Sequence, residues 1–355
     1  DADDLGIPES GNKIPDLLDE AKYELDWMLK MQNAENGGVY HKVTALVFPE
    51  TVLAVEETDD MVLAPISYAA TGDFAAVMAK ASVLYADYDA DFAKTCLDAA
   101  QKAYAFMEAN PDMKGYENPE EIVTGAYDDK QLKDETLWAS AELYIATKDD
   151  KYLTATKNAL QENYQPGFGW ASIGSYALYD LAKTEGVDAD VAKTAKDALL
   201  ANVDEQLAKC EEEGFFTGLG ISYPWGSNMT IANNGEAFLA AAKLTGDAKY
   251  IEYAQKMRDY IFGVNPTGYC YVTGYGTLTP NATHHRPSQV LKETMPGMLV
   301  GGADNNLEDP YANAVLYGIA AGRAYVDNEQ CYSCNEVTIY WNSPLIYLLA
   351  GLKNK

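Results

Sequence analysis

The chain has 355 residues, of which 48% are hydrophobic, so it is long enough to bury a substantial core. Its 54 acidic residues outnumber its 26 basic residues and give a formal net charge of -28. Because the acidic excess is spread along the chain, it would repel nucleic acids and anionic membranes and leaves neutral or cationic partners. No apolar run reaches about 18 residues, so no membrane-spanning helix is predicted. An acidic surface is typical of an exported protein that must stay soluble.

The spacing of apolar residues predicts an almost entirely helical chain. The first helix is expected near Pro15, because proline fits the first turn of a helix and the apolar residues that follow recur at helical spacing. Ten further helices are predicted at residues 71–85, 89–109, 132–147, 150–163, 171–185, 188–210, 228–244, 247–262, 311–325 and 342–353. Similar turns at residues 146–152 and 244–250 each place an aspartate where it can cap the next helix.

Repeated helical hairpins bury their apolar stripes against neighbouring pairs, in either an open solenoid or a closed double ring. Long connections rich in glycine and aromatic residues favour the closed ring, because such loops build sites at one end of a barrel. These connections lie at residues 33–63, 111–131, 213–227 and 263–310. We therefore predict a single all-α domain over residues 1–355, and the odd number of helices suggests that one partner helix is missing.

Five cysteines are too few for a disulfide scaffold, and their odd number leaves at least one thiol unpaired. Cys331 and Cys334 form a lone C-x-x-C motif without a second pair or matching histidines. This favours a local disulfide or plain thiols over a zinc site.

Two carboxylates near the C-terminus lie among aromatic residues. Asp327 and Glu336 stand close in sequence to Tyr332, Tyr340 and Trp341. Aromatic faces suit sugar rings, and an apolar setting disfavours the charged form of a carboxyl group, which can then act as a general acid. Glu336 is therefore a candidate catalytic acid, with a solvated or structural carboxylate as the alternative.

Two of the three histidines, His284 and His285, stand beside Arg286. Such a cluster can donate hydrogen bonds to sugar hydroxyls or to a catalytic carboxylate, whereas a metal site would need a third ligand and none is local. The third histidine, His41, follows paired glycines in a loop, and Trp225 is an aromatic residue just before a predicted helix. Core packing is the alternative interpretation of Trp225.

Together these segments resemble glycoside hydrolase family 9, a cellulase family with an (α/α)6 barrel of six helical pairs. Residues 325–343 match the family's C-terminal signature, and residues 271–286 match its other signature, which ends in a histidine-x-arginine element at His284 and Arg286. Further segments read as in family members that carry an N-terminal immunoglobulin-like domain, and they lie at residues 7–20, 37–44 and 225–228. The resemblance covers nearly the whole chain in the family's order.

The resemblance implies hydrolysis of β-1,4-glucosidic bonds in cellulose or related β-glucans, with inversion and without a required cofactor. Glu336 would protonate the departing glycosidic oxygen, Asp327 would orient the Glu336 loop, and His284 would act beside the cleaved bond. The expected substrate-binding residues are Arg286, His41, Trp225 and Trp341. A structural calcium ion bound by acidic loops is possible. The protein is expected to be secreted.

One departure from the family concerns the catalytic base. The family places an Asp-Ala-Gly-Asp motif, whose aspartates hold and activate the attacking water, before the first barrel helix. The first four residues, Asp1, Ala2, Asp3 and Asp4, are similar in sequence to this motif, but no helix separates them from residues 7–12. We therefore expect the base and the first helix to lie on a missing N-terminal fragment.

Two other functions remain open from sequence. The chain could be a non-catalytic glucan-binding protein derived from the enzyme, or a β-glucosidase or glucosaminidase that acts on short oligosaccharides. In each case the partner would be a β-glucan or a cello-oligosaccharide.

Overall fold

The computed structural model describes residues 2–353, which divide into two compact units. The first unit comprises the chain up to Phe48, together with Asp59–Pro166 and Ala171–Ala195. The second unit comprises Pro49–Thr58, Gly167–Trp170 and the chain from Lys196 onward. The expectation of one domain over residues 1–355 stays a prediction.

The first unit is built of helical hairpins and two very short antiparallel strand pairs. Its helices are α1 (Asp16–Lys30), α2 (Tyr68–Leu84), α3 (Ala90–Ala109), α4 (Lys133–Thr147), α5 (Asp150–Ala159) and α6 (Gly174–Lys183). Strand β1 (Val39–Tyr40) pairs with β4 (Ile66–Ser67), and β2 (Val43–Thr44) pairs with β3 (Val62–Leu63). Helix α7 (Ala189–Glu211) begins in this unit and continues in the second.

Short polar caps start the helices at defined residues. The Ser67 hydroxyl accepts a hydrogen bond from the Ala70 amide at the start of α2. Both aspartates that were predicted to cap helices do so. Asp149 accepts from the Lys151 amide at the start of α5, and Asp247 accepts from the Lys249 amide at the start of the helix Ala248–Ile261. Each cap satisfies an amide that the helix itself leaves without a partner.

The second unit contains a long hairpin and several short helices. Its elements after α7 are α8 (Ser227–Thr245), α9 (Ala248–Ile261), α10 (Arg286–Leu291), α11 (Pro310–Leu316), a 3-10 turn (Ala321–Arg323), α12 (Tyr332–Asn335) and α13 (Ile339–Leu352). Helices α8 and α13 approach closely because glycines face leucines. A Cβ atom on Gly235 would lie 2.8 Å from Leu348 Cδ1, and one on Gly351 would lie 2.5 Å from Leu239 Cδ1.

Most predicted helices are present with ends shifted by a few residues, but the helix predicted at 311–325 is wrong. Helix α11 ends at Leu316 because Tyr317 is extended and Gly318 has a φ of 78°, a conformation that interrupts a right-handed helix. Helices α10 and α12 were not predicted, since four to six residues are too few to show helical periodicity.

All five cysteines are buried free thiols. Cys331 and Cys334 are therefore plain thiols in this structure, and they pack in an apolar cluster with Ala312, Leu316 and Ala324. Within residues 2–353, no helix is both long and apolar enough to cross a membrane.

Candidate active site

Glu336 occupies the short extended connection between α12 and α13, where three chain segments meet. Its amide donates to the Tyr332 carbonyl at 2.8 Å, and its carbonyl accepts from the Gly301 amide at 3.2 Å. The amide of His284 donates to the carbonyl of Asn335 at 2.9 Å, so His284 and Glu336 form a parallel bridge. A Cβ atom on Gly301 would collide with the Ser333 carbonyl oxygen, so glycine is required for this approach.

The carboxyl group of Glu336 is half-buried and accepts one hydrogen bond from an indole. Trp225 Nε1 donates to Glu336 Oε2 at 3.0 Å. Burial raises the pKa of Glu336 above its ordinary value of 4.5, and this effect outweighs the charges of His284 and Arg286 and the Trp225 hydrogen bond, which lower it. The site therefore favours a protonated carboxyl group whose ionised form still has donors nearby.

The side chain of His284 is held by a backbone carbonyl. Its Nδ1 lies 2.8 Å from the Glu329 carbonyl oxygen, which can only accept, so Nδ1 carries a proton. The ring centroid lies 5.7 Å from that of Tyr332. The ring is thereby fixed in orientation, and in its neutral form Nε2 is an acceptor.

Arg286 is the first residue of α10, and its Nη2 donates to the Pro49 carbonyl at 3.3 Å. The neighbouring His285 is engaged differently, because its Nδ1 lies 2.8 Å from Ser288 Oγ. Of the three residues in the predicted cluster, the structure links His284 and Arg286 electrostatically to Glu336.

The role of Asp327 in orienting the Glu336 loop stays a prediction, and its carboxylate binds the neighbouring backbone at residues 281–282. Its carboxylate accepts from the Asn281 amide at 3.0 Å and from the Ala282 amide at 2.9 Å, and so holds the segment that leads to His284. Two backbone amides point at the carboxylate, and such bonds suit the expected positioning group rather than a reacting one.

Asn335, which the sequence analysis overlooked, holds the loop before Glu336. Its buried side-chain nitrogen donates to three carbonyls, those of Val326, Asn328 and Cys331. Its Oδ1 accepts from the Tyr325 hydroxyl at 2.8 Å. Its place directly before Glu336 in the signature segment was the only sequence signal, and side-chain bonds to distant carbonyls cannot be read from spacing.

The two predicted stacking tryptophans occupy different environments. Trp225 is 38% exposed, and its ring centroid lies 5.2 Å from that of Tyr332. Trp341 is only 2% exposed, so little of its ring is available to stack on a sugar, and its role in substrate binding stays a prediction. It lies under Gly226, where a Cβ atom would be 2.9 Å from the indole, and so supports the turn that carries Trp225.

His41 lies in the first unit, and both of its ring nitrogens are engaged within the protein. Nδ1 lies 2.9 Å from Ser67 Oγ and Nε2 lies 3.0 Å from the Ala126 carbonyl, while the ring stacks on Tyr116 at 3.7 Å. Burial lowers the pKa of His41, which favours the neutral ring. The predicted hydrogen bonds from His41 to sugar would have to replace these internal bonds.

In the acidic run at the N-terminus, Asp3 binds backbone amides of the turn before α1. Asp1 lies outside the described residues. The carboxylate of Asp3 accepts from the amides of Gly11 and Lys13 at 2.6 Å and 2.8 Å. These bonds lower the pKa of Asp3 and occupy it as the organiser of the turn before α1. Between residues 2 and 353, no group of three or more His, Cys, Asp or Glu side chains could hold a metal ion.

The chain matches the profile of glycosyl hydrolase family 9 over residues 6–349. It is 38% identical to a xyloglucan-specific endo-beta-1,4-glucanase of Bacteroides ovatus, over 98% of this chain and 62% of that protein. It is 33% identical to endoglucanase D of Acetivibrio thermocellus, over 99% of this chain and 55% of that protein. A thermostable endoglucanase structure from Alicyclobacillus acidocaldarius superposes with a TM-score of 0.92 at 39% identity, over 97% of this chain and 66% of that chain.

These likenesses confirm the predicted fold class, an all-α (α/α)6 barrel of helical hairpins. The chain belongs to glycosyl hydrolase family 9. It spans between 55% and 66% of the length of the three relatives.

The raised pKa of Glu336 predicts a pH-dependent difference in stability between the parent chain and Glu336→Gln. A carboxyl group whose pKa is higher in the folded state than in the unfolded state stabilises the fold below the unfolded pKa, and this contribution is lost as pH rises through the folded pKa. The glutamine variant does not titrate. Its free energy of unfolding relative to the parent should therefore increase as pH rises from below 4.5 through the folded pKa of Glu336.

Urea unfolding of both proteins at several pH values, followed by circular dichroism, measures this difference. A difference that is constant across the range would show that Glu336 titrates normally in the folded protein.

Proposed function

We propose that this chain carries the proton donor of an inverting hydrolase that cuts β-1,4-glucosidic bonds in cellulose or related β-glucans, with Glu336 as the general acid. The observation that carries the proposal is the environment of Glu336: a half-buried carboxyl group with a raised pKa, next to an indole donor and within electrostatic reach of His284 and Arg286. A general acid must hold its proton until the leaving oxygen needs it, and burial supplies that condition.

The same environment suits the step that follows. When Glu336 gives its proton to the glycosidic oxygen, a carboxylate forms in its place. The Trp225 N–H group and the charges of His284 and Arg286 favour that carboxylate, because they are already placed beside it. Donors fixed before the reaction need no reorganisation as charge develops, which makes their stabilisation effective.

The substrate class in this proposal rests on the relatives. They include an endo-beta-1,4-glucanase, a cellodextrinase, two endoglucanases and a cellulose 1,4-beta-cellobiosidase, all at 31% to 38% identity. These names indicate substrates with a β-1,4-linked glucan backbone. They differ in the length of the substrate and in endo or exo action. Export from the cell belongs to the proposal, because polymeric glucan does not enter cells.

We also propose that the base that activates water lies on a segment outside residues 1–355. An inverting enzyme holds its acid and its base roughly 6.5–9.5 Å apart, with room for water between them. Asp3 and Asp327 are each occupied by two backbone amides. A preceding segment with the family's Asp-Ala-Gly-Asp motif, and an immunoglobulin-like domain before it, would fit the greater length of the relatives.

Glu336→Gln should abolish cleavage of unactivated cellulose in the longest natural form of the protein. The amide keeps the shape of the side chain but cannot supply the proton, so we expect a loss of about 10²–10⁴-fold in kcat. Substrate binding should survive, and aryl glycosides with good leaving groups should be cleaved at rates closer to the parent, because they need less protonation. Reducing-end release and isothermal titration with cello-oligosaccharides measure the two properties.

Glu329→Gln is the matched control, since Glu329 is an exposed glutamate in the segment just before α12. Glucan hydrolysis by Glu336→Gln within about threefold of the parent rate would place the acid elsewhere. A parent protein that binds glucan but does not cleave it would favour the non-catalytic alternative.

His284→Ala and Arg286→Ala should each lose about 1–3 kcal/mol of transition-state stabilisation, as expected for hydrogen bonds and charges that favour a developing carboxylate or bind sugar hydroxyls. The loss is read from kcat/KM on cello-oligosaccharides. His285→Ala is the control, because the His285 side chain bonds to Ser288. Activity that a chelator removes and zinc restores, and that His284→Ala abolishes, would instead indicate a metal role.

Residues 1–355 alone should be a poor hydrolase if the base lies outside them. We expect reducing-end release from amorphous cellulose to be about 10²–10⁴-fold slower than in the longer natural protein, the range that general-base assistance provides. Circular dichroism must first show that residues 1–355 fold. Equal rates for both proteins would place the base within this sequence, and Asp1, Asp3 and Asp4 would then be substituted first.

A further inference from the structure

The backbone of Trp225 is fixed by the neighbouring turn 304–308. The Trp225 amide donates to Glu308 Oε2 at 2.6 Å. Glu308 is itself fixed, because its amide donates to a carboxylate oxygen of the buried Asp304 at 2.8 Å. Asn305 adds a two-way link to Tyr223: its amide donates to the Tyr223 carbonyl, and its side chain accepts from the Tyr223 amide at 2.7 Å.

The residue after Trp225, Gly226, packs closely against Trp341. Gly226 has a φ of 74°, which favours glycine, and its backbone lies against the buried Trp341. Trp225 therefore enters the site with its backbone bound on one side by Glu308 and supported on the other by Trp341.

The ring of Trp225 has one edge committed to Glu336. The indole N–H is the ring's only hydrogen-bond donor, and it points at Glu336 Oε2 at 3.0 Å. Tyr332 lies against the ring at a centroid distance of 5.2 Å, and 38% of Trp225 is exposed. A tryptophan that served only as a surface for sugar stacking would not need its N–H group at the catalytic carboxyl.

We propose that Trp225 is a positioning residue for Glu336, whose indole N–H group, held by turn 304–308, orients the carboxyl group that donates the proton. This inference rests on the proposed role of Glu336 as general acid. It gives Trp225 a task separate from any contact between its ring face and a sugar. The indole N–H cannot accept a hydrogen bond, so its partner oxygen Oε2 is the acceptor, and this favours the proton of the neutral acid on Oε1.

Two measurable consequences follow from removing the N–H group. The carboxyl group loses its fixed orientation, so proton transfer becomes slower. The ionised form also loses a hydrogen bond that lowers the pKa of Glu336, so that pKa rises further. Activity that depends on protonated Glu336 falls as pH rises through this pKa, and the fall should therefore occur at higher pH in the variant.

The test is Trp225→Phe in the longest natural form of the protein, assayed on cello-oligosaccharides over a range of pH. Phenylalanine keeps an aromatic face but has no N–H group. We expect kcat to fall by about 10-fold or more, as for a lost hydrogen bond to a charged group, and the alkaline limb of the kcat profile to move to higher pH. Thermal unfolding confirms that the variant is folded.

Trp138→Phe is the matched control, because Trp138 Nε1 donates to Glu142 Oε1 at 3.1 Å in the first unit. It removes the same kind of bond, and it should leave the alkaline limb unchanged. A double-mutant cycle with Glu336→Gln tests whether Trp225 acts through Glu336, and it is run on an aryl glycoside whose leaving group still needs protonation but leaves a measurable rate in Glu336→Gln. The effect of Trp225→Phe should be much smaller in the glutamine background.

The outcomes separate this inference from the function on which it rests. A parent protein without glucan hydrolysis would refute the proposed function. An active parent, together with a Trp225→Phe variant that raises KM but keeps kcat and the alkaline limb, would show that Trp225 only binds sugar. Equal effects of Trp225→Phe in both backgrounds of the cycle would also overturn the positioning role.

Discussion

The site depends on the backbone hydrogen bonds that join three segments at Glu336. Gly301 donates to the Glu336 carbonyl, and His284 donates to the carbonyl just before it. These bonds bring a histidine from one loop and a carboxyl group from another to adjacent positions without a continuous sheet or helix. Because each bond uses main-chain atoms, the side chains of His284 and Glu336 remain available for chemistry.

Burial and charge act in opposite directions on the Glu336 carboxyl group, and their balance defines what it can do. Burial alone would give a carboxylic acid that keeps its proton and has no means to stabilise the anion it leaves behind. Cations alone would give a carboxylate that has already lost its proton. The half-buried position beside Trp225, His284 and Arg286 combines a retained proton with a stabilised product.

The sequence predicted the helical hairpins because they depend on a local pattern, whereas the role of Glu336 came from the family resemblance and stays a prediction. Periodicity identifies helices, and two aspartates were recognised as caps from the turns that contain them. What the sequence did not predict are the contacts that residues make with distant partners. Trp341 is of the residue type that stacks on sugars, but it is buried. Asn335 and Asp327 bind backbone groups of distant segments, which sequence spacing does not identify.

A second bond between a tryptophan N–H group and a glutamate shows by comparison what makes the bond at Glu336 suitable for catalysis. In the first unit Trp138 donates to Glu142, which is 2% exposed. Burial raises the pKa of Glu142 well above its usual value, and the charge of Asp180 raises it further.

Lys80 and Lys183 lie 2.5 Å and 2.8 Å from the Asp180 carboxylate, so their positive charges compensate the negative charge of Asp180 directly. Glu142 thus favours its protonated form but is almost fully buried. At Glu336 the same indole bond occurs where the carboxyl group is only half-buried and the nearby charges are cationic. The bond itself therefore orients a carboxyl group in both places, while access and the sign of the surrounding charge decide whether the proton can be transferred.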